Sequence, residues 1–376
     1  MKHFINLTAP GIRRLMPYQP GKPIEELQRE YGVQDVIKLA SNENPLGPGP
    51  RVLDVIQSQL KELSRYPDGN GYVLKQALSQ KLGVAPQQIT LGSGSSEVLE
   101  LLARAFLTSN DEVIYSQHAF AMYPIITQAV NAQSVVTPAK NWGHDLKAMQ
   151  VAITDKTRMI FIANPNNPTG TWLGAAELKN FIASLSANII VVVDEAYFEY
   201  ASDSRLGARD YPDTMAWLDE FPNLVVTRTF SKAYGIAGLR VGYGVSNPEI
   251  ADLLNRVRQP FNVNSLALAA ATAALNDTEH LQHGLDCNAQ GMLQLAQGVE
   301  SLGLTYVPSV GNFISIDMGG DAAGIYDSLL HEGVIVRPVA SYKMPHHLRV
   351  TVGTAAENTT FLLALKKVLE KTLQQA

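Results

Sequence analysis

A chain of 376 residues with 46% hydrophobic and 17% charged residues has the composition of a globular protein. It exceeds the length over which one hydrophobic core usually extends, so two lobes are expected. Its net charge of −5, with no blocks of lysine or arginine, excludes a nucleic-acid footprint, and no run approaches the roughly 20 apolar residues of a membrane span.

The first stretch, MKHFINLTAPGIRRLMPYQPGKP, carries no apolar segment behind its basic residues, and a cytoplasmic protein is expected. Residues 1–41, rich in proline and glycine, read as an arm that packs on the smaller lobe or on a second subunit. From Gln88 to Val245 apolar runs (ITLG, EVIYS, SVVTP, RMIFIAN, NIIVVVDE, LVVTRTF, RVGYGVS) alternate with helical patterns such as 95–107 and 175–185. That alternation predicts βαβ units around a parallel sheet, and the consecutive apolar positions predict strands covered on both faces. After about residue 246 come long helices near 264–275 and 279–301, then strands at TYVP, NFISIDM and HLRVTVG, then a last helix at about 355–373. The expected fold class is therefore α/β, with a mostly parallel central sheet in a large domain (42–275) and a smaller α+β domain (276–376, joined by part of 1–41). The single cysteine, Cys287, has no CxxC partner and reads as a small buried hydrophobe in a reducing compartment.

In open parallel sheets ligands collect beyond the carboxyl ends of the strands. ITLG is followed there by Ser93, Gly94, Ser95, Ser96 and Glu97, RMIFIA by NPNNPTG (164–170), NIIVVV by Asp194, Glu195, Ala196 and Tyr197, and LVVTRTF by Ser231 and Lys232. Taken singly these are an N-cap, a turn, a helix cap and a surface lysine. GSGSSE is not a dinucleotide fingerprint, because Glu97 stands where the third glycine belongs. Together they match the needs of a pyridine aldehyde phosphate: a lysine for the aldehyde, a carboxylate to keep the ring nitrogen protonated, and a donor for the phenolate oxygen. Hydroxyls, backbone N–H groups and an arginine serve the phosphate, and an aromatic face covers the ring. Lys232, Asp194, Asn167 with Tyr197, Ser95, Ser96, Thr229, Ser231 and Arg240, and Phe120 supply these in turn. The histidines offer no metal site: His346 and His347 point to opposite faces of a strand, and His280 with His283 lack further ligands. Motifs of zinc hydrolases, serine hydrolases and P-loop proteins are absent.

The stretches SNENPLGP, YPDGNGYVLKQALS, GSGSSEVLELLARAF, NPNNPTG, VVVDEAYFEY, TFSKAYGIAGLRVGYG and LRVTVGT resemble, in order and over nearly the whole chain, the fold type I aminotransferases that use pyridoxal phosphate. The resemblance is greatest to the histidinol-phosphate aminotransferase family. S-K-x-x-x-x-x-G-x-R, from Ser231 to Arg240, is the most specific motif. The resemblance implies the pyridoxal-phosphate-dependent transferase fold type I and a cofactor bonded to Lys232, which also moves the proton of the substrate Cα. It further implies Asp194 at the pyridinium nitrogen, Asn167 and Tyr197 at the phenolate oxygen, and the phosphate held by Ser95, Ser96, Thr229, Ser231 and Arg240. Tyr66 reaches that phosphate from the neighbouring subunit of a homodimer. Arg349 and Arg337 would receive the substrate phosphate or carboxylate, and Tyr18, Asn42 and Tyr123 line the substrate pocket. Phe120 departs from the family, which often places a tyrosine there; stacking survives, a hydroxyl's hydrogen bond does not. The implied reaction moves the amino group between histidinol phosphate and 2-oxoglutarate, in histidine biosynthesis. Alternatives are an aromatic amino-acid aminotransferase and a phosphothreonine decarboxylase.

Overall fold

The computed structural model describes residues 3–375; Met1, Lys2 and Ala376, at the ends of the expected arm and C-terminal lobe, lie outside the described residues. The seven apolar runs become seven strands of one sheet: β1 (Ile89–Gly92), β2 (Glu112–Ser116), β3 (Gln133–Thr137), β4 (Thr157–Ala163), β5 (Ile190–Asp194), β6 (Leu224–Thr229) and β7 (Gly242–Ser246), ordered β1-β7-β6-β5-β4-β2-β3 in space. The pairings among β2 to β6 are parallel, while β7 runs antiparallel to both of its neighbours. A parallel return needs a crossover of a dozen or more residues, usually a helix. Between β6 and β7 the chain has only the short 3₁₀ turn Ala237–Leu239, so it doubles back.

Period-two alternation sends neighbouring strand residues into different cores. Ile160, Ile162, Val191, Val193 and Val226 pack with the helices Ala175–Ala183 and Ser265–Asn276. Met159, Phe161, Val192 and Val225 face the helices Ser95–Phe106, Met122–Ala129 and Pro248–Val257. The last of these, and Ala322–His331, are not among the elements read from the sequence. Among the described residues no helix is long and apolar enough to cross a membrane.

The C-terminal part forms a second, wholly antiparallel sheet of β8 (Thr305–Val307), β9 (Phe313–Asp317), β10 (Arg337–Pro338) and β11 (His347–Thr351), ordered β8-β9-β11-β10. Ile314, Ile316, Leu348 and Val350 bury one face of it with Leu295, Leu329 and Phe361 from three helices. Ile37–Lys38 pairs in parallel with Val334–Ile335, which fastens the N-terminal segment to this lobe. The arm also touches the large lobe, where the Gly11 N–H donates to Asn131 Oδ1 at 2.6 Å.

The helix Ser95–Phe106 starts almost in contact with the sheet, where Gly92 of β1 and Gly242 of β7 are register partners. A Cβ on Gly242 would collide with the Ser95 nitrogen and would sit 2.7 Å from the carbonyl carbon of Gly94. Only glycine permits that approach. Gly242→Ala is expected to destabilise the protein by about 1–3 kcal/mol, read as a lower thermal midpoint; an unchanged midpoint would show that the helix can retreat freely.

Candidate active site

The loops beyond β1, β4, β5 and β6 and the edge of the C-terminal sheet surround a cavity of about 180 Å³. Tyr18, Asn42, Ser95, Ser96, Phe120, Asn167, Asp194, Tyr197, Thr229, Ser231, Lys232, Arg240, Arg337 and Arg349 all line it. Two expected residues do not. Tyr66 is 83% exposed and stacks on Phe261 at 4.7 Å, outside the cavity of its own chain. Tyr123 is wholly buried behind Asp194, which corrects its expected place in the pocket wall. It stands three residues beyond Phe120, on the opening turn of a helix that turns it toward the sheet, where its ring lies parallel to Phe161 at 4.6 Å.

Lys232 follows β6 through the fully buried Phe230. Its Nζ donates to the Ser41 carbonyl at 3.0 Å and sits 5.7 Å from the Tyr197 ring. Removal from water pulls its pKa down to about 7; the charges of Arg349 and Arg240 act the same way, against Glu43 and Asp194. Near neutral pH the amine is thus far more often uncharged than an ordinary lysine.

Asp194 ends β5, in register with Thr227 of β6. Thr227 donates to its Oδ1 at 3.1 Å and Tyr123 to its Oδ2 at 3.0 Å. Burial raises the pKa of Asp194; the two hydroxyls, the Ala196 N–H and the charge of Lys232 pull against it. Its neighbour Glu195 points the other way, fully buried with Arg228 at 2.7 Å and accepting from Thr214 Oγ1 at 2.6 Å.

Arg349 fixes the next group. A guanidinium only donates, so Asn167 turns its Oδ1 to Arg349 Nη1 at 2.6 Å and its Nδ2 to the Tyr197 hydroxyl at 3.1 Å. Asn42 Nδ2 donates to the same hydroxyl at 2.8 Å, and its Oδ1 accepts from Thr351. With two N–H groups on its oxygen, Tyr197 has its own proton left to give. Arg349 Nη2 donates to the Ala40 carbonyl at 2.6 Å, and its buried Nε has no partner. Arg337 is the cross-strand partner of Arg349, so both guanidiniums project from one face of the sheet. Although on an edge strand, Arg337 is only 9% exposed; it donates to the Gln19 carbonyl and lies 5.5 Å from the Tyr18 ring.

The helix Ser95–Phe106 presents its N-terminus to the same cavity; its first N–H groups lack intrahelical acceptors and its dipole favours an anion. Gly94 precedes it with φ +81°, and a Cβ there would stand 2.6 Å from Arg240 Nη2. Arg240 Nη1 reaches Ser231 Oγ at 3.4 Å. The result is a cradle of backbone, two serines and a guanidinium, shaped by glycine.

Several contributors escaped the sequence reading. Ser41 opens the stretch SNENPLGP, but it receives the Lys232 amine through its backbone carbonyl, which no side-chain pattern marks. Thr227 was legible in principle, since period two puts it on the face of Thr229. Of the two histidines read as facing apart, His346 is exposed and His347 buried.

The family described as aminotransferase class I and II matches residues 34–365. Similar chains include histidinol-phosphate aminotransferase 2 of Pseudomonas fluorescens, 58% identical over 370 residues, 98% of this chain and 99% of that one. Histidinol-phosphate aminotransferase 1 of Nitrosococcus oceani is 55% identical over 368 residues, 98% of each. Among solved structures, histidinol-phosphate aminotransferase from Sinorhizobium meliloti in complex with pyridoxal-5′-phosphate superposes with a TM-score of 0.88 at 29% identity, covering 97% of this chain and 98% of that one.

The recessed amine yields a measurement. In the cofactor-free protein, the reactivity of Lys232 toward a small amine-directed reagent, followed by mass spectrometry of its peptide, is expected to rise with a midpoint at about pH 7. A midpoint above pH 10, that of an ordinary lysine, would contradict the desolvated setting.

Proposed function

The chain belongs to the class I and II aminotransferases, and from that premise we propose that it moves the amino group of histidinol phosphate to 2-oxoglutarate, giving imidazole acetol phosphate and glutamate. The observation that carries this reading is one cavity lined by a neutral-leaning amine, a buried acid, an anion cradle and an in-register arginine pair.

The residues present fit pyridoxal phosphate. The cradle of Ser95, Ser96, Thr229, Ser231 and Arg240 suits its phosphate, Asp194 its ring nitrogen, Asn167 and Tyr197 its phenolate oxygen, Phe120 its face and Lys232 its aldehyde. When bound, this group supplies an aldehyde that condenses with amines and a ring that accepts the electron pair left on Cα when its proton departs. Asp194 would keep the ring nitrogen protonated, and the Tyr197 hydroxyl would donate a hydrogen bond to the phenolate oxygen. Lys232 Nζ, in the neutral form that its lowered pKa makes abundant near pH 7, would take the proton from the substrate Cα. Arg349 and Arg337 hold the far end of the substrate as a bidentate charge-assisted pair. Such a pair suits a phosphate, and equally the carboxylates of 2-oxoglutarate and glutamate, so one site serves both halves of a ping-pong cycle. Tyr18 closes over Arg337 and shields it from water.

The enzyme acts in the cytoplasm as a homodimer in this reading, built from an arm (1–41), a large cofactor domain (42–275) and a small domain (276–376). The dimer explains why Tyr66 turns away from its own cavity: it serves the neighbour's.

Turnover of histidinol phosphate, phenylalanine and phosphothreonine by the purified protein tests the assignment. Histidinol phosphate is expected to be used far better, and a preference for phenylalanine, or release of carbon dioxide from phosphothreonine, would displace it. Lys232→Ala is expected to lower turnover by about 10²–10⁴-fold or more. Arg337→Gln is expected to raise KM for histidinol phosphate about tenfold or more, and KM for glutamate less; equal effects would remove Arg337 from the phosphate site.

A further inference from the structure

Tyr123 plays no part in the roles above, yet it is placed to control one of them. Its hydroxyl is 3.0 Å from Asp194 Oδ2, and Thr227 gives the other carboxylate oxygen its own hydroxyl donor at 3.1 Å. Each oxygen of Asp194 therefore has one side-chain donor behind it, while the carboxylate lines the cavity in front. The Tyr123 ring cannot swing away: it lies 5° from parallel to Phe161 and meets Phe120 edge-on at 6.0 Å. Phe120 is in turn part of the cavity wall. One buried ring thus backs both the acid and the aromatic face of the site.

We infer that Tyr123 is a positioning residue: its hydroxyl aims the Asp194 carboxylate and keeps it a weak enough base to leave the proton on the cofactor's ring nitrogen. The inference rests on the cofactor assignment proposed above. Two acceptors compete for one proton, the carboxylate and the ring nitrogen. A donor on the carboxylate lowers its basicity and tips the proton toward the ring. The donor must itself never ionise, since a phenolate here would face a carboxylate in a dry site. Burial, with the adjacent charge of Asp194, drives the Tyr123 pKa far above the usual phenol range, so it stays a donor at every working pH. A tyrosine that merely filled the core would have the same stacking contacts, but no consequence for the ring nitrogen.

Tyr123→Phe keeps the ring and removes the hydroxyl. A less protonated ring withdraws fewer electrons, so the cofactor nitrogen shared with Lys232 becomes more basic. The pH midpoint of the visible absorption band of the holoenzyme is therefore expected to rise by about one unit. Affinity of the cofactor-free protein for pyridoxal phosphate and kcat are each expected to fall about tenfold, with KM within about twofold. Incorporation of 3,5-difluorotyrosine at position 123, a stronger donor of nearly the same shape, is expected to lower the midpoint, and it decides the matter if Tyr123→Phe does not fold. A Tyr123→Phe protein that loses only thermal stability, with midpoint and cofactor affinity as in the wild type, would overturn the inference, as would a difluorotyrosine protein with an unshifted band. If the wild-type protein itself forms no visible band with pyridoxal phosphate, the proposed function fails instead.

Discussion

Everything in the site follows from taking an amine and a carboxylate out of water together. Desolvation disfavours the charged form of each, so Lys232 is driven down toward neutrality while the acid is driven up. The two responses are useful in opposite ways. In the proposed reaction the amine must be neutral to attack and to accept a proton, and the acid must stay charged to hold one; Asp194 has two hydroxyls and a backbone N–H that favour its charged form. Among the described residues Lys232 donates only to the Ser41 carbonyl, and two arginine charges favour loss of its proton against the opposing charges of Glu43 and Asp194. Burial is the larger influence on each group; the difference in partners sets the two apart.

That allocation depends on strand geometry. At the end of β5, Asp194 and Glu195 point to opposite sides. The first finds hydroxyls and a cavity; the second finds Arg228, itself 3% exposed and also bonded to Asp213 at 2.7 Å. A buried carboxylate without such a partner would be costly, and loss of one member of a buried pair typically costs about 3–5 kcal/mol. The Glu195–Arg228 pair ties β5 to β6 on the side away from the chemistry, so the strand ends carrying Asp194 and Lys232 stay at a fixed separation.

The cavity is also a seam between lobes. Ser315 of β9 donates to the Pro168 carbonyl at 2.6 Å, Asn312 to the Asn42 carbonyl at 3.0 Å, and Arg349 to Asn167. In the proposed reaction, a substrate held by Arg337 and Arg349 on one lobe would react at Lys232 on the other. Binding energy at the far end can therefore be used to align Cα with the amine.

Much of this was written in local sequence. The seven strands, the glycine before Ser95, and the lysine and aspartate at or beyond their strand ends follow from periods and spacings within a few residues, because burial on both sheet faces demands apolar runs and tight turns demand glycine; Arg337 and Arg349 were legible only through the family resemblance. The two-sided pattern could not say that β7 runs antiparallel, since direction depends on the length of its connection. Nor could it say which side chains face one another. That Arg337 opposes Arg349, that Thr227 stands beside Asp194, that the Ser41 carbonyl, 191 residues away in the chain, receives the Lys232 amine, and that Tyr123 supports the acid from behind instead of lining the pocket are outcomes of strand register and helix docking. They are set by the free energy of packing the whole chain, to which no short stretch has access.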